Sequence, residues 1–174
     1  SVMKLVENGQ MSLDVPMSEY VPELKNTNKK DLKIRELLAH HAGLVAWIPF
    51  YLQTLTQDKM PAPKIYRSLP EKGFEVPVAR DFFMENAWVD SVWKQVFYSP
   101  LREDKQYKYS DLDLILHARA LQNLTGKSLD EFADLNFYKP LGLSTTGFNP
   151  WKRGLTFRCA PTEEDSYFRH QKLQ

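Results

Sequence analysis

Residues 107–126 read Y-K-Y-S-D-L-D-L-I-L-H-A-R-A-L-Q-N-L-T-G and set tyrosines, a hydroxyl and carboxylates directly against an apolar run. Tyr109 and Asp111 are the candidate site residues, because they stand at the mouth of what reads as the most rigid helix of the chain, a placement suited to a catalytic group. A second spacing with chemistry in it opens the sequence. Ser1-Val2-Met3-Lys4 has the S-x-x-K form, which sets an amine one helical turn from a hydroxyl. It is read as coincidence: such a nucleophile needs a helix start fixed by preceding structure, and lysines are frequent enough here for the spacing to arise by chance. No glycine-rich phosphate loop and no G-x-S-x-G elbow occurs. His40, His41, His117 and His170 lack zinc-site spacing, and adjacent His40 and His41 cannot share a metal from one helix face. Neither a metal nor a cofactor is expected.

The elements that must position Tyr109 and Asp111 follow from local signals. Ser110 is a good N-cap, Asp113 complements the positive end of the helix, and Gly126 can take the left-handed conformation that closes it. Leu112, Leu114, Ile115, Leu116, Ala118, Ala120, Leu121 and Leu124 cover more than one side, which predicts a helix packed on several neighbours. Upstream, Val2, Met3, Leu5 and Val6 predict the last turns of a helix ending at Asn8-Gly9, and Ser1 reads as a cut inside a longer protein. Residues 11–22 form an irregular segment bounded by Pro16 and Pro22, and 25–30 a polar loop. Ile34, Leu37 and Leu38 make a short buried helix halted at His41-Ala42-Gly43.

Residues 47–72 are aromatic and proline-bearing without periodicity, and read as a long ordered loop. Residues 74–84 suit a small hairpin that Pro77 would confine to an edge. Trp88, Val89, Val92, Trp93, Val96 and Phe97 recur at helical spacing. Ser128 with Glu131 forms a capping box for a last helix, and residues 145–174 read as polar and irregular as far as Tyr167-Phe168.

At 174 residues, with 43% hydrophobic and 13% aromatic content, the chain can bury a proper core, and a single domain is the default. A net charge of +1 without a basic run gives no reason to expect nucleic acid or an anionic membrane surface, and no segment has the apolar length of a membrane span. One cysteine, Cys159, excludes an internal disulfide.

Several runs together carry a resemblance. They are K-L-V-E-N-G-Q-M-S-L-D at 4–14, Y-V-P-E-L at 20–24, I-R-E-L-L-A-H-H-A-G-L at 34–44, Tyr109-Ser110-Asp111, and K-P-L-G-L at 139–143. In this order and at these separations they resemble the serine hydrolases of the class C β-lactamase and penicillin-binding-protein type. Within that group the chain looks most like the serine-hydrolase domain fused to family-three glycoside hydrolases in some bacterial β-N-acetylglucosaminidases.

The resemblance implies a mainly α fold: residues 1–174 as a single helical lobe of the β-lactamase/transpeptidase-like fold, with little or no sheet. It implies that the N- and C-terminal parts of the same domain, carrying the nucleophilic S-x-x-K and the strand that faces it, lie outside the sequence, so that the lobe alone is inactive. Tyr109 matches the tyrosine of the family's Y-x-N motif, which takes or relays the serine proton. A phenol titrates at about 10, so that role needs a neighbouring cation or a concerted relay. Asp111 replaces the asparagine; losing the amide donor favours an ester or altered peptide over a lactam. His40 and Gly43 match a run read as structural, a helix stop. The implied activity is cleavage of an ester or amide through an acyl-serine, outside the cytoplasm, on a small-molecule or peptidoglycan-related substrate. The alternative from another class is a non-catalytic interaction or carbohydrate-binding module that uses residues 47–51 and Phe82-Phe83.

Overall fold

The computed structural model describes residues 1–173, which divide into two compact units. One comprises residues 1–48 and 95–148; the other comprises 49–94 and the described residues from 149 onward. The fold is mixed α/β with two sheets, which corrects the expectation of a mainly α lobe with little or no sheet. The strands at Tyr66–Arg67, Glu163–Asp165 and Gln171–Leu173 lie outside the expected hairpin because each is only two or three residues long and is defined by its partner rather than by its own alternation.

The first unit is built on helices. Helix α1 (Val2–Glu7) buries Leu5 and stops before Gly9, whose φ of 70° is open to glycine at no cost. Short 3-10 turns at Met17–Glu19 and Pro22–Leu24 bury Met17 and Leu24. Helix α2 (Ile34–Leu38) buries Ile34 and Leu37, and the Glu36 carboxylate accepts the Lys33 N–H at its start. The loop between these elements holds the least expected residue of the chain. Lys29 is fully buried, and its ammonium donates to Asn28 Oδ1 at 3.0 Å, to the Phe97 carbonyl at 3.2 Å and to the Ser99 carbonyl. Those carbonyls belong to the end of helix α3 (Ala87–Tyr98), where main-chain acceptors are left over and a cation is favoured.

Helix α4 (Asp111–Thr125) packs against α1, α2 and α5 (Leu129–Ala133), as the spread of its apolar residues foretells. Leu112, Leu116, Ala120 and Leu121 are buried, although Leu114 faces solvent. Ser110 caps α4 as expected, its Oγ accepting the Leu112 N–H at 3.2 Å, and Gly126 closes it at φ 67°.

The second unit has its own core of Ala62, Ile65, Tyr66 and Phe168, edged by Leu55, Val78, Phe82, Met84 and Trp88. The expected hairpin forms from β2 (Val76–Ala79) and β3 (Phe82–Met84), and β1 (Tyr66–Arg67) pairs with the other side of β3. The order β1-β3-β2 leaves Pro77 on an edge strand, where its missing N–H breaks no central ladder. Strands β4 (Glu163–Asp165) and β5 (Gln171–Leu173) make a second hairpin. Its turn is held by buried Asp165, whose carboxylate collects the N–H groups of Tyr167, Phe168 and Arg169 and seats Phe168 in the core.

Candidate functional site

Tyr109 lies in the extended segment that feeds α4 and is 53% exposed, so its ring is open to solvent rather than enclosed by hydrocarbon. Asp111 is the first residue of α4, with its side chain exposed and its N–H donated to the Ala46 carbonyl at 2.9 Å. Ser110 between them is wholly buried and ties the mouth of the helix to the loop after α2, its hydroxyl donating to the Val45 carbonyl at 2.7 Å. The α4 mouth is thus fixed to residues 45–46 by one side-chain and one main-chain hydrogen bond, and Tyr109 and Asp111 flank the clamp.

Beneath Tyr109 lies a cluster that sequence reasoning missed. His40 ends the turn after α2 in the left-handed conformation, φ 57°, which is uncommon for a residue with a side chain. Its carbonyl accepts the Lys108 N–H at 3.0 Å, and its ring centroid is 4.7 Å from that of Tyr109 and 6.0 Å from that of Tyr107. His40 Nδ1 is 2.7 Å from Asp113 Oδ2. Asp113 therefore does not serve as a solvated complement to the helix dipole. Its side chain is 1% exposed, and Oδ1 has no partner among the described residues. Burial raises the Asp113 carboxyl to about 6, with the His40 ring pulling the other way. One turn on, buried His117 donates Nδ1–H to the Asp113 carbonyl at 2.6 Å, and burial holds its imidazole below the ordinary range.

Nothing local announces this cluster: His40 and Asp113 are 73 residues apart, and each has an ordinary local reading as helix stop or helix-start charge. Gly43, read as part of the same stop, has a φ of 75°, and a Cβ there would meet the Arg102 carbonyl oxygen at 3.2 Å. Its own carbonyl accepts the Arg102 N–H at 2.7 Å.

Ser1 and Lys4 are not brought together as a nucleophile pair. The Lys4 ammonium is 2.9 Å from the Glu7 carboxylate, and the Ser1 side chain makes no cap to α1. Of the aromatics considered for carbohydrate binding, Trp47 and Tyr51 are exposed, whereas Phe82 stacks on Tyr66 in the core of the second unit. No group of acidic, histidine or cysteine side chains that could hold a metal occurs among the described residues, and none of their helices is long and apolar enough to cross a membrane.

A sequence model of the beta-lactamase family matches residues 1–160. Proteins of Salmonella agona and Salmonella typhimurium, each named "Putative D-alanyl-D-alanine carboxypeptidase", are 27% identical over 164 residues, covering 90% of this chain and 32% of theirs. Among solved structures, EstCE1, a hydrolase with promiscuous acyltransferase activity, shares the fold at a TM-score of 0.53 and 21% identity, over 84% of this chain and 35% of that one. The chain spans about a third of the length of the curated relatives it matches. A family match over residues 1–160, which takes in both the α2 stop and the Tyr109 segment, settles the descent: the chain belongs to the beta-lactamase family of penicillin-binding-protein-like serine hydrolases.

Proposed function

We propose that this chain is the tyrosine-bearing part of a serine hydrolase that cleaves an ester or amide through a covalent acyl-serine, with Tyr109 accepting or relaying the serine proton and Asp111 facing the substrate. The observation that carries the reading is the exposed phenol of Tyr109 at the clamped mouth of α4, inside the stretch that matches the family. A proton-transfer group has to be reachable and held in place, and the exposed ring beside a clamped main chain supports that role. The nucleophilic serine and its lysine would lie outside residues 1–174, and the isolated chain is expected to be inactive.

The substrate in this reading is an acyl compound related to cell-wall peptide, met outside the cytoplasm, and what supports it is the naming of relatives as D-alanyl-D-alanine carboxypeptidases. Asp111 in place of an amide donor tilts the preference toward esters. The finer placement, beside the hydrolase domains fused to family-three glycoside hydrolases, is supported only by the sequence runs at 4–14, 34–44 and 139–143. The test is to express the complete reading frame, label it with a fluorophosphonate probe, and measure hydrolysis of a short-chain aryl ester. Labelling at a serine outside residues 1–174, with hydrolysis lost in Tyr109→Phe, is the expected result. Labelling at Ser1, or full activity in Tyr109→Phe, would overturn it.

A further inference from the structure

The contact between Asp113 and His40 is an odd one to find in a helix start. Asp111 already supplies an exposed negative charge to the first turn of α4, so the helix gains little from a second one. Asp113 is enclosed instead, its carboxylate stripped of water, with one oxygen on His40 and the other without a partner among the described residues. A buried carboxylate with half its acceptor capacity unused destabilises a fold, and an apolar side chain of similar size would serve packing better. Groups that cost stability in this way concentrate where a neighbour's position matters. The neighbour here is the His40 ring, and the ring lies against Tyr109.

We propose that Asp113 and His40 form a buried positioning pair for Tyr109: the carboxylate fixes the imidazole, and the imidazole fixes the direction of the phenol. The proposal rests on the assignment of Tyr109 as the proton-transfer group. His40 is held at three points, by the hydrogen bond from its N–H to the Leu37 carbonyl at 3.0 Å, by the Lys108 N–H on its own carbonyl, and by Asp113 on Nδ1. Only the last fixes the rotation of the ring. The Ser110 N–H also points at Nδ1, but from 3.4 Å, at the edge of reach. Asp113 at 2.7 Å dominates, and the Nδ1–Oδ2 contact keeps one proton between the two groups. The ring then presents its remaining surface to Tyr107 on an edge at 83° and to Tyr109 at a tilt of 49°. The side chain of Tyr109 is otherwise half in solvent, so no other described ring contact restrains it.

The charged and titratable groups around the pair are few. From the α2 side come Glu36, paired with Lys105 at 3.4 Å, and His41, whose ring meets the Lys105 carbonyl. From the segment before α4 come Tyr107, Lys108 and Tyr109, and from α4 itself Asp111 at the surface and His117 below. His117 makes its hydrogen bond to the Asp113 main chain, not to its carboxylate.

The experiment has two readouts. In this chain, with ring-labelled tyrosine and histidine, NMR is expected to show the Tyr109 ring resonances stepping with pH as the buried Asp113 carboxyl changes charge. That step should vanish in both Asp113→Asn and His40→Gln, while Tyr20, which is bonded to the Ser12 N–H elsewhere in the unit, is unchanged. Asparagine keeps the shape of Asp113, and His40→Gln carries the test should the other variant not fold. Tyr109 resonances that ignore the titration, or that keep the step in both variants, would overturn the pair.

In the complete enzyme, Asp113→Asn is expected to lower kcat ten- to a hundredfold, with KM changed less than twofold and the acid limb of the pH profile displaced. Loss of hydrolysis in Tyr109→Phe alongside an unchanged kcat and pH profile in Asp113→Asn would sink the pair's role alone. Undiminished hydrolysis in Tyr109→Phe would sink the assignment of Tyr109, and this proposal with it.

Discussion

The ammonium of Lys29 lies 3.2 Å from the carbonyl oxygen of Phe97, a residue 68 positions later, and all its described acceptors are neutral oxygens. Burial without a counter-ion pushes Lys29 down to about 8, from an ordinary 10.5. Between those values the unfolded chain binds a proton that the folded chain does not, so stability rises as pH climbs from 8 through 10.5. At 1.36 kcal/mol per pH unit the rise is up to roughly 3 kcal/mol. Lys29→Met is expected to abolish it. Urea unfolding at pH 7.5 and 10 for both proteins is the check, and an equal rise in the variant would show that another group is responsible.

Asp113 has the opposite sign. Its folded carboxyl is raised to about 6 from 3.8, so the folded chain keeps a proton that the unfolded chain has released in that window. The stabilisation linked to that proton is complete below pH 3.8 and is lost as pH rises through 6, by up to roughly 3 kcal/mol. Asp113→Asn is expected to flatten this part of the stability curve, read as the urea midpoint at pH 4 and pH 7. A slope identical to that of the unaltered protein would contradict the burial assigned to this carboxylate.

Ser110→Ala removes two hydrogen bonds at a site with no solvent access, orphaning the Leu112 N–H and the Val45 carbonyl. Loss of a helix cap costs about 1–2 kcal/mol, and the second orphan puts this variant at the upper end or beyond. The mid-transition denaturant concentration should fall accordingly. A shift under about 0.5 kcal/mol would mean that the α4 mouth is held by other contacts.

Tyr109→Phe and Asp111→Asn separate chemistry from folding. The phenol is half exposed, so Tyr109→Phe should move the stability of this chain by no more than about 0.5 kcal/mol. In the complete enzyme the same change is expected to lower kcat by about 10²–10⁴, the range of a lost acid–base group. Asp111→Asn restores an amide donor, and the ratio of amide to ester cleavage should rise several-fold. A ratio that does not move would remove Asp111 from the substrate's path.

These residues also show what a sequence can disclose. Helix α4 was legible from end to end because its determinants are local: Ser110 caps it, Gly126 closes it, and the leucines between repeat at helical spacing. Pro77 disclosed an edge strand for the same reason, since its missing N–H is a property of one residue. Strand β1 was invisible: Tyr66 and Arg67 become a strand only opposite Met84 and Phe83. The acidic β4 carries no strand signal either, and it forms because Asp165 gathers the turn that folds β5 back beside it. Lys29 looked like one more cation in a polar loop, and the acceptors that enclose it come from the end of α3. Tyr109 can be proposed from sequence because its family motif is contiguous; the Asp113–His40 contact cannot, because it joins two segments that share no pattern.

Pro77 has a last consequence. With no amide hydrogen at its centre, the outer rim of β2 cannot be read as a continuous template by a strand from another molecule, and the irregular register between Pro77 and Ala79 bends that rim further out of true. Of the two margins of this sheet, the one beside β2 is closed to intermolecular stacking, which guards a short aromatic hairpin against seeding aggregates while the chain is still assembling.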